Sequence, residues 1–235
     1  MSLKNIWPFR LEQDDICSCV THMITTLIFD LDGLLADTEK LHCRAYQDAL
    51  ARFGFVLNEQ DYSEHWILKG GSIGEFIVAR GLNIDPELVR ITKAEYYEEL
   101  VISTAAPMPG ALSLLSRMTG WKKLALATSS YEDAAYAVLK ALNIATYFSC
   151  VATRSSVARI KPFPDLFLYV AKSLGETPES CLVLEDSGKG VIAAGAAGMK
   201  CVAVPNIHTV DHDFSTATMV VLSLDEVTRE LIETI

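Results

Sequence analysis

Residues 24–39 read ITTLIFDLDGLLADTE, a short run of apolar and β-branched residues that leads into two aspartates. Such a run, bounded by turn-forming residues, is typical of a buried strand. Similar runs follow at KKLALAT (122–128), SCVAT (149–153), CLVLED (181–186) and CVAVPN (201–206). Helical patterns lie between the later strands, at 131–142, 165–174 and 189–197. Strands that alternate with helices predict an open α/β sheet with helices on both faces.

A long helical stretch separates the first two predicted strands. It contains helical patterns at 38–52, 72–80 and 86–101 and ends in TAAPMPG (104–110), whose small residues and prolines are typical of a hinge. A further helix is predicted at 111–118. We therefore expect three parts, which are an all-helical cap domain at 38–104, an α/β core at 24–37 and 105–235, and an N-terminal extension at 1–23.

Composition and charge narrow the classes of partner. The formal net charge of -10 argues against a nucleic-acid backbone as partner, because binding there needs clustered Lys and Arg. Apolar runs are too short for a membrane span, and the first twenty residues lack an apolar signal core. The six cysteines form no CxxC pair. These features predict a cytoplasmic protein that binds neither nucleic acid nor a membrane. We expect a monomer or, alternatively, a dimer.

Asp30 and Asp32 follow the first strand, and Gly33 breaks it. In an extended chain, residues two apart point to the same side roughly 6.6 Å apart, so both carboxylates face the end of the sheet. A phosphoryl group and a metal ion can be held between them. A calcium-binding loop that began at Asp30 would need ligands at Leu34 and Leu41, and so this alternative is disfavoured.

A second acidic pair, Glu185 and Asp186, ends another strand in VLEDSGKGVIAAGAAGM (183–199). Carboxylates that meet at one edge of a sheet repel each other unless a cation lies among them, and Mg²⁺ is the cation we expect. The GxGxxA pattern in this segment resembles a dinucleotide fingerprint. It lacks the acidic residue about twenty positions further on, because the next strand ends at Asn206.

Four segments, DLDGLLADTE, ALATSS, RIKPFPDLF and VLEDSGKGVIAAGAAGM, are similar in that order to the four motifs of the haloacid dehalogenase superfamily. The resemblance implies a doubly wound parallel sheet of order 3-2-1-4-5 with a helical cap inserted after the central strand. It also implies phosphoryl transfer, with Asp30 as the nucleophile that forms an aspartyl-phosphate and Asp32 as the acid/base.

The resemblance also implies the remaining roles in the core. Thr128 and Ser129 would bind the phosphoryl oxygens, and Lys161 would offset their charge. Mg²⁺ would be held by the Asp30 and Asp186 carboxylates, by the Asp32 carbonyl and by Glu185, either directly or through water. Asp32 must be protonated when it donates to the leaving group, so we expect its pKa to be raised when the cap closes and water leaves. The substrate that the resemblance implies is a small phosphorylated metabolite.

Two further segments, DTEKLHCRAY (37–46) and ILKGGS (67–72), are similar to the first cap helix and the substrate loop of the β-phosphoglucomutase-like group. They predict substrate contacts by His42, Lys69 and Ser72. That group contains both mutases and phosphatases.

Mutases of the group hold a second phosphate with an arginine and a Lys-Asn pair. Ile73, Tyr131 and Glu132 stand at the corresponding positions in this chain. A phosphatase is therefore the favoured prediction, a sugar phosphomutase is the first alternative, and a non-catalytic binding module is the second.

Overall fold

The computed structural model describes residues 23–235. The predicted N-terminal extension at 1–23 therefore lies, apart from Met23, outside the described residues. The described chain forms a six-stranded sheet in which all neighbouring strands are parallel, in the order β3-β2-β1-β4-β5-β6. The strands are β1 (Thr26–Phe29), β2 (Lys123–Ala127), β3 (Cys150–Ala152), β4 (Cys181–Glu185), β5 (Lys200–Ala203) and β6 (Met219–Val220).

The predicted sheet and its 3-2-1-4-5 order are confirmed. The structure adds β6 at the edge beside β5, and with only two residues this strand is too short to leave a pattern in the sequence. β1 lies in the centre, between β2 and β4.

Helices cover both faces of the sheet, as predicted. The α-helices of residues 23–235 are α1 (Glu39–Ala51), α2 (Glu59–Tyr62), α3 (Ile73–Ala79), α4 (Pro86–Thr104), α5 (Ala111–Met118), α6 (Glu132–Ala141), α7 (Asp165–Leu174), α8 (Gly188–Ala196) and α9 (Arg229–Thr234). A single turn of π-helix at Ser63–Leu68 continues α2. The short α2, the π-helix and α9 were not predicted, since a few residues give no readable periodicity. Within residues 23–235, no helix is both long and apolar enough to cross a membrane.

The central strand shows how the two faces of the sheet are built. Leu27 and Phe29 point to one face and pack with buried residues of α5 and α6, whereas Ile28 points to the other and packs with α7 and α8. This alternation follows from the two-residue period of a strand. Both faces are apolar because both are covered, which explains why β1 reads as a continuous apolar run.

Helices α1 to α4 lie between β1 and β2, where the sequence predicted a helical insertion. Part of this stretch has an apolar cluster of its own that includes Leu50, Tyr62 and Phe76. Tyr97 and Val101 of α4 instead join the cluster on the sheet. The domain boundaries at 38 and 104 stay a prediction.

The two segments that connect the helical insertion to the sheet lie side by side. The backbone N–H of Asp37 donates to the carbonyl of Ala106 (2.9 Å), and the N–H of Met108 donates to the carbonyl of Leu35 (3.0 Å). The chain therefore enters and leaves the insertion at one place, which suits the hinge predicted there.

Candidate active site

The carboxyl ends of the central strands open into one cavity of about 260 Å³. Asp30 directly follows β1, Thr128 follows β2 and Asp186 follows β4, while Lys161 comes from the segment between β3 and α7. Most of the residues that the sequence predicted for the site line this cavity, namely Asp30, Asp32, His42, Ser72, Thr128, Ser129, Lys161 and Asp186. The structure thus brings together segments that are far apart in the chain.

Lys161 is almost completely buried and pairs with two carboxylates. Its ammonium lies 2.5 Å from Oδ1 of Asp30 and 2.5 Å from Oε1 of Glu185, and it also donates to the carbonyl of Ala127 (2.7 Å). Burial alone would lower the pKa of Lys161, but attraction to Asp30 and Glu185 outweighs burial and raises it. Lys161 is therefore a permanent cation beside Asp30.

Asp30 and Asp186 experience an excess of negative charge. Burial raises the pKa of Asp30 to about 7, and repulsion by Glu185 and Asp32 adds to the rise while Lys161 opposes it. The pKa of Asp186 is raised well above its usual value, first by burial and then by repulsion from Asp30 and Glu185. One lysine does not balance these carboxylates, so a bound cation would stabilise the site.

Asp32 lies in the same cavity in a very different environment. Its Oδ1 accepts hydrogen bonds from Oγ1 of Thr38 (2.6 Å) and Nε2 of His42 (3.1 Å), and its Oδ2 accepts one from Oγ of Ser130 (2.6 Å). Burial would raise the pKa of Asp32, but His42 and these hydrogen bonds outweigh burial and lower it. These donors stabilise the charged form of Asp32, so the raised pKa that we expect when the cap closes and water leaves stays a prediction.

Lys93, which the sequence analysis missed, extends this network into the helical insertion. Its ammonium lies 2.8 Å from Nδ1 of His42 and 3.9 Å from the centre of the Tyr97 ring, and the His42 ring stacks on Tyr97 at 4.2 Å. An ammonium donates only, so Nδ1 of His42 accepts from Lys93 and Nε2 carries the hydrogen that points at Asp32. Burial lowers the pKa of Lys93 to about 8.

A signal for Lys93 is present in the sequence. The buried residues of α4 are Val89, Lys93, Tyr97 and Val101, at every fourth position. A lysine on such an apolar stripe is unusual unless it has a buried partner. The partner, His42, belongs to α1, and that pairing follows only from the packing of the two helices.

Glu185 is enclosed beneath the first turn of α8. It pairs with Lys161, and its Oε2 accepts from the N–H (3.2 Å) and Oγ (2.9 Å) of Ser187. A Cβ on Gly190 would lie 1.9 Å from Cδ of Glu185, so the helix passes over this carboxylate only because residue 190 is glycine. Glu185 does not line the cavity, and its predicted metal contact stays a prediction.

A metal ion fits the donors that line the cavity only if backbone oxygen takes part. Within residues 23–235, no group of three or more His, Cys, Asp or Glu side chains is placed to hold an ion by itself. The Asp30 and Asp186 carboxylates could supply two oxygen ligands. Gly33 keeps the backbone next to Asp186, because a Cβ there would lie 2.5 Å from Oδ2 of Asp186. With the Asp32 carbonyl and water, these groups would make the hard oxygen set that Mg²⁺ prefers, and this ligand set stays a prediction.

Hydroxyl groups follow the end of β2. Oγ1 of Thr128 accepts from the N–H of Ser130 (3.0 Å) and lies 3.3 Å from Oδ2 of Asp32. The hydroxyl of Ser129 is buried and has no hydrogen-bond partner within the described part of the chain. A buried hydroxyl without a partner is costly, and a phosphoryl oxygen in the cavity would provide one.

The two predicted residues of the substrate loop differ in position. Ser72 lines the cavity, but its hydroxyl and N–H form a capping box with Glu75 at the start of α3. Lys69 is exposed and is not part of the lining, whereas its neighbours Gly70 and Gly71 are. Substrate binding by Ser72 and Lys69 stays a prediction.

Comparisons with known proteins agree with this geometry. The family model described as haloacid dehalogenase-like hydrolase matches residues 27–204. The chain belongs to the haloacid dehalogenase-like hydrolase family. The matched range begins in the central strand and ends just after β5, so it contains all four of the motifs that the sequence analysis identified.

Individual members of the haloacid dehalogenase-like family resemble the chain over most of its length. It is 32% identical over 182 residues to the fructose-1-phosphate phosphatase YqaB of Escherichia coli, covering 76% of this chain and 95% of that one. The crystal structure of CbbY from Rhodobacter sphaeroides in complex with phosphate has a TM-score of 0.81 and 27% identity, and covers 91% of this chain and 100% of its own. A complex of mutant CbbY with xylulose-(1,5)bisphosphate has a TM-score of 0.78, 28% identity and coverages of 87% and 96%.

The β-phosphoglucomutase of Clostridium difficile is also similar, with a TM-score of 0.74 and 29% identity over 90% of this chain and 96% of that one. The predicted resemblance to the β-phosphoglucomutase-like group of the haloacid dehalogenase superfamily is thus confirmed. The prediction of an enzyme that hydrolyses phosphoric monoesters is confirmed as well.

Proposed function

We propose that the protein is a Mg²⁺-dependent phosphatase that hydrolyses a small sugar phosphate through an aspartyl-phosphate on Asp30. The observation that carries the proposal is the contrast between two aspartates in one cavity. Lys161 engages Oδ1 of Asp30 and no described side chain bonds its Oδ2, whereas donors surround both oxygens of Asp32. This contrast supports Asp30 as the nucleophile and Asp32 as the acid/base.

The reaction divides into two displacements at phosphorus. In the first, a carboxylate oxygen of Asp30 forms a bond to phosphorus, the bond to the sugar oxygen breaks, and Asp32 gives that oxygen a proton. In the second, Asp32 takes a proton from water as the water oxygen attacks phosphorus and the bond to Asp30 breaks. Lys161 and the hydroxyl of Ser129 would offset the charge on the phosphoryl oxygens. Mg²⁺, held by Asp30, Asp186 and the Asp32 carbonyl, would supply further positive charge.

Substrate binding would favour the protonated form of Asp32, which takes its proton from solvent. The donors around Asp32 lower its pKa. A phosphate dianion beside Asp32 would raise its pKa by repulsion, and exclusion of water would raise it further. The protonated state would then form only when substrate is present.

The substrate class rests on relatives. YqaB is named a fructose-1-phosphate phosphatase, and CbbY was crystallised with a sugar bisphosphate. We infer that a sugar phosphate is also the substrate here, with Ser72 and His42 near it in the cavity. A cytoplasmic location is part of the proposal and rests on the cysteine pattern of the sequence.

Phosphate release tests the proposal. We expect the purified protein to hydrolyse p-nitrophenyl phosphate and some members of a panel of sugar phosphates when Mg²⁺ is present. Hydrolysis should stop when EDTA is added. Isomerisation of a sugar phosphate that depends on a bisphosphate primer would instead support the mutase alternative. Absence of both activities would support a binding module and contradict the proposal.

Replacing Lys93 with Met should lower kcat for sugar phosphates roughly 10-fold to 100-fold, because His42 would lose the hydrogen bond that orients it toward Asp32. The effect on p-nitrophenyl phosphate should be smaller, since its leaving group depends less on an acid. Steady-state kinetics on both substrates measure the difference.

The exposed Lys140→Met variant, on α6, serves as the matched control for the loss of a lysine. A double variant, Lys93→Met with His42→Asn, should lose little more than the His42 variant alone, because both residues act through Asp32. Fully additive losses would contradict the proposed positioning.

Magnesium should stabilise the protein against heat. At about 100 times its Kd, a ligand raises the free energy of unfolding by about 2.7 kcal/mol. For a chain of this size the Tm should rise by roughly 5–10 °C. The Asp186→Asn variant should lose this shift, while without metal it should be no less stable than the native protein, because one buried, repelled carboxyl group has been removed.

Thermal unfolding with and without Mg²⁺ measures this effect. Asp211→Asn, which changes an exposed aspartate, is the control and should keep the shift. An unchanged shift in Asp186→Asn would exclude Asp186 as a ligand.

A further inference from the structure

Two arginines from different parts of the chain contact the same tyrosine ring at one side of the cavity. The guanidinium carbon of Arg90, on α4, lies 5.1 Å from the centre of the Tyr131 ring, and that of Arg154, which follows β3, also lies 5.1 Å from it. Both arginines and Tyr131 line the cavity that contains Asp30. One arginine belongs to the helical insertion and the other to the sheet domain, so the group lies where these two parts meet.

The positive charge at this place is only partly balanced. Arg90 donates to both oxygens of Glu87 (2.8 and 2.7 Å), and Asp133 also attracts it. Arg154 has neither a hydrogen bond nor an ion pair from its guanidinium among residues 23–235, and its side chain is half-buried. Two guanidinium groups that contact one ring repel each other, and an anion that contacts both would offset this repulsion.

Tyr46 provides a neutral donor near the two arginines. It lines the same cavity, and its pKa is raised to about 12, mainly by burial and in spite of the opposing effect of Arg154 and Arg90. Its hydroxyl therefore keeps its hydrogen at neutral pH. Arg90, Arg154 and Tyr46 are thus all groups that donate hydrogen bonds to anions.

We propose that Arg90 and Arg154 bind a second anionic group of the substrate, at the end away from the phosphate that Asp30 attacks. The inference rests on the proposed phosphatase function and specifies its substrate class as a sugar phosphate that carries a further phosphate or carboxylate. At the positions where mutases of the group have an arginine and a Lys-Asn pair, this chain has Ile73, Tyr131 and Glu132, and none of these carries a positive charge. The arginines at 90 and 154 supply positive charge from positions that the sequence comparison with mutases did not indicate.

The same geometry has a second interpretation, in which the arginines only attach the helical insertion to the core through Tyr131. Attachment affects every substrate, because every substrate needs the insertion in place. Recognition of a distal group affects only substrates that carry one. The two interpretations therefore differ in how a variant changes the selectivity of the enzyme.

Matched substrates separate these effects. Glucose 1-phosphate, glucose 1,6-bisphosphate and glucuronic acid 1-phosphate share the phosphate at carbon 1 and carry a hydroxyl, a phosphate or a carboxylate at carbon 6. Fructose 1-phosphate and fructose 1,6-bisphosphate form a second series. Each compound is assayed for kcat/KM and as a competitor of p-nitrophenyl phosphate hydrolysis, so that a compound which is not turned over still yields an inhibition constant.

The native protein should prefer the compounds with a second anionic group. The Arg154→Gln and Arg90→Gln variants should each reduce this preference roughly 10-fold to 100-fold, as expected for the loss of charge-assisted hydrogen bonds. Comparison of the bisphosphates with glucuronic acid 1-phosphate shows whether the two arginines bind a phosphate or a carboxylate more tightly. Arg159→Gln is the control, since Arg159 also stacks on an aromatic ring and pairs with Asp165 but does not line the cavity.

The outcomes distinguish this inference from the function on which it rests. No preference in the native protein, or equal losses on all substrates in the variants, would overturn the inference while leaving the phosphatase intact. Failure of the native protein to hydrolyse any phosphate ester with Mg²⁺ would contradict the proposed function itself.

Discussion

Replacing Asp30 with Asn is expected to reduce turnover by about 10⁴-fold or more on every phosphate ester, because the amide cannot act as the nucleophile that the proposal assigns to Asp30. The amide has nearly the shape of the carboxylate, and Lys161 keeps its pairing with Glu185. The fold should therefore be retained. Steady-state kinetics measure the loss, and thermal unfolding checks that the variant is folded.

The covalent intermediate gives this prediction a second readout. Native protein mixed with excess substrate and quenched in acid should carry phosphate that hydroxylamine releases, and the Asp30→Asn variant should carry none. Asp37→Asn, which changes an exposed aspartate of the same segment, should behave like the native protein. Phosphate bound covalently to the Asp30 variant would show that another residue is the nucleophile.

Replacing Asp32 with Asn should lower kcat by ~10² to 10⁴, the usual contribution of a general acid/base. The loss should be larger on sugar phosphates than on p-nitrophenyl phosphate, whose leaving group needs little help from an acid. Binding of Mg²⁺ should persist, because Asp32 is proposed to bind it through the backbone carbonyl. The thermal shift with Mg²⁺ therefore serves as the control.

Three results would count against the role of Asp32. Equal losses on both kinds of substrate would indicate a structural role, which is a real alternative because Asp32 accepts hydrogen bonds from Thr38, His42 and Ser130. Normal activity would mean that another group transfers the proton. Loss of the magnesium shift would place the Asp32 side chain in the metal site.

The sheet and the convergence of the main site residues could be predicted from local sequence. Apolar runs predict buried strands, and parallel strands bring their carboxyl ends to one edge. Asp30, Thr128 and Asp186 each directly follow such a run, and they line one cavity in the structure. The hydrogen bond of 2.6 Å from Thr38 to Asp32 joins two residues of the first motif, but their spacing of six residues does not by itself predict this contact.

The electrostatic character of the site could not be predicted in the same way. A strand end predicts that a carboxylate faces the cavity, but its pKa depends on the donors around it. The pKa values of Asp30 and Asp32 move in opposite directions although the residues are two apart. The difference arises because Lys161 and several carboxylates surround the first, and His42 and hydroxyl groups surround the second.

By itself, the sequence determined the α/β fold, the family and the set of acidic residues at the sheet edge, because these depend on local periodicity and on motifs within short segments. The tertiary structure alone decided which cations from outside the four motifs join them. Lys93 meets His42 because α4 packs on α1, and Arg90 and Arg154 meet at Tyr131 because α4 also packs against α6. Such contacts depend on how whole helices are positioned, and no spacing along the chain encodes that position.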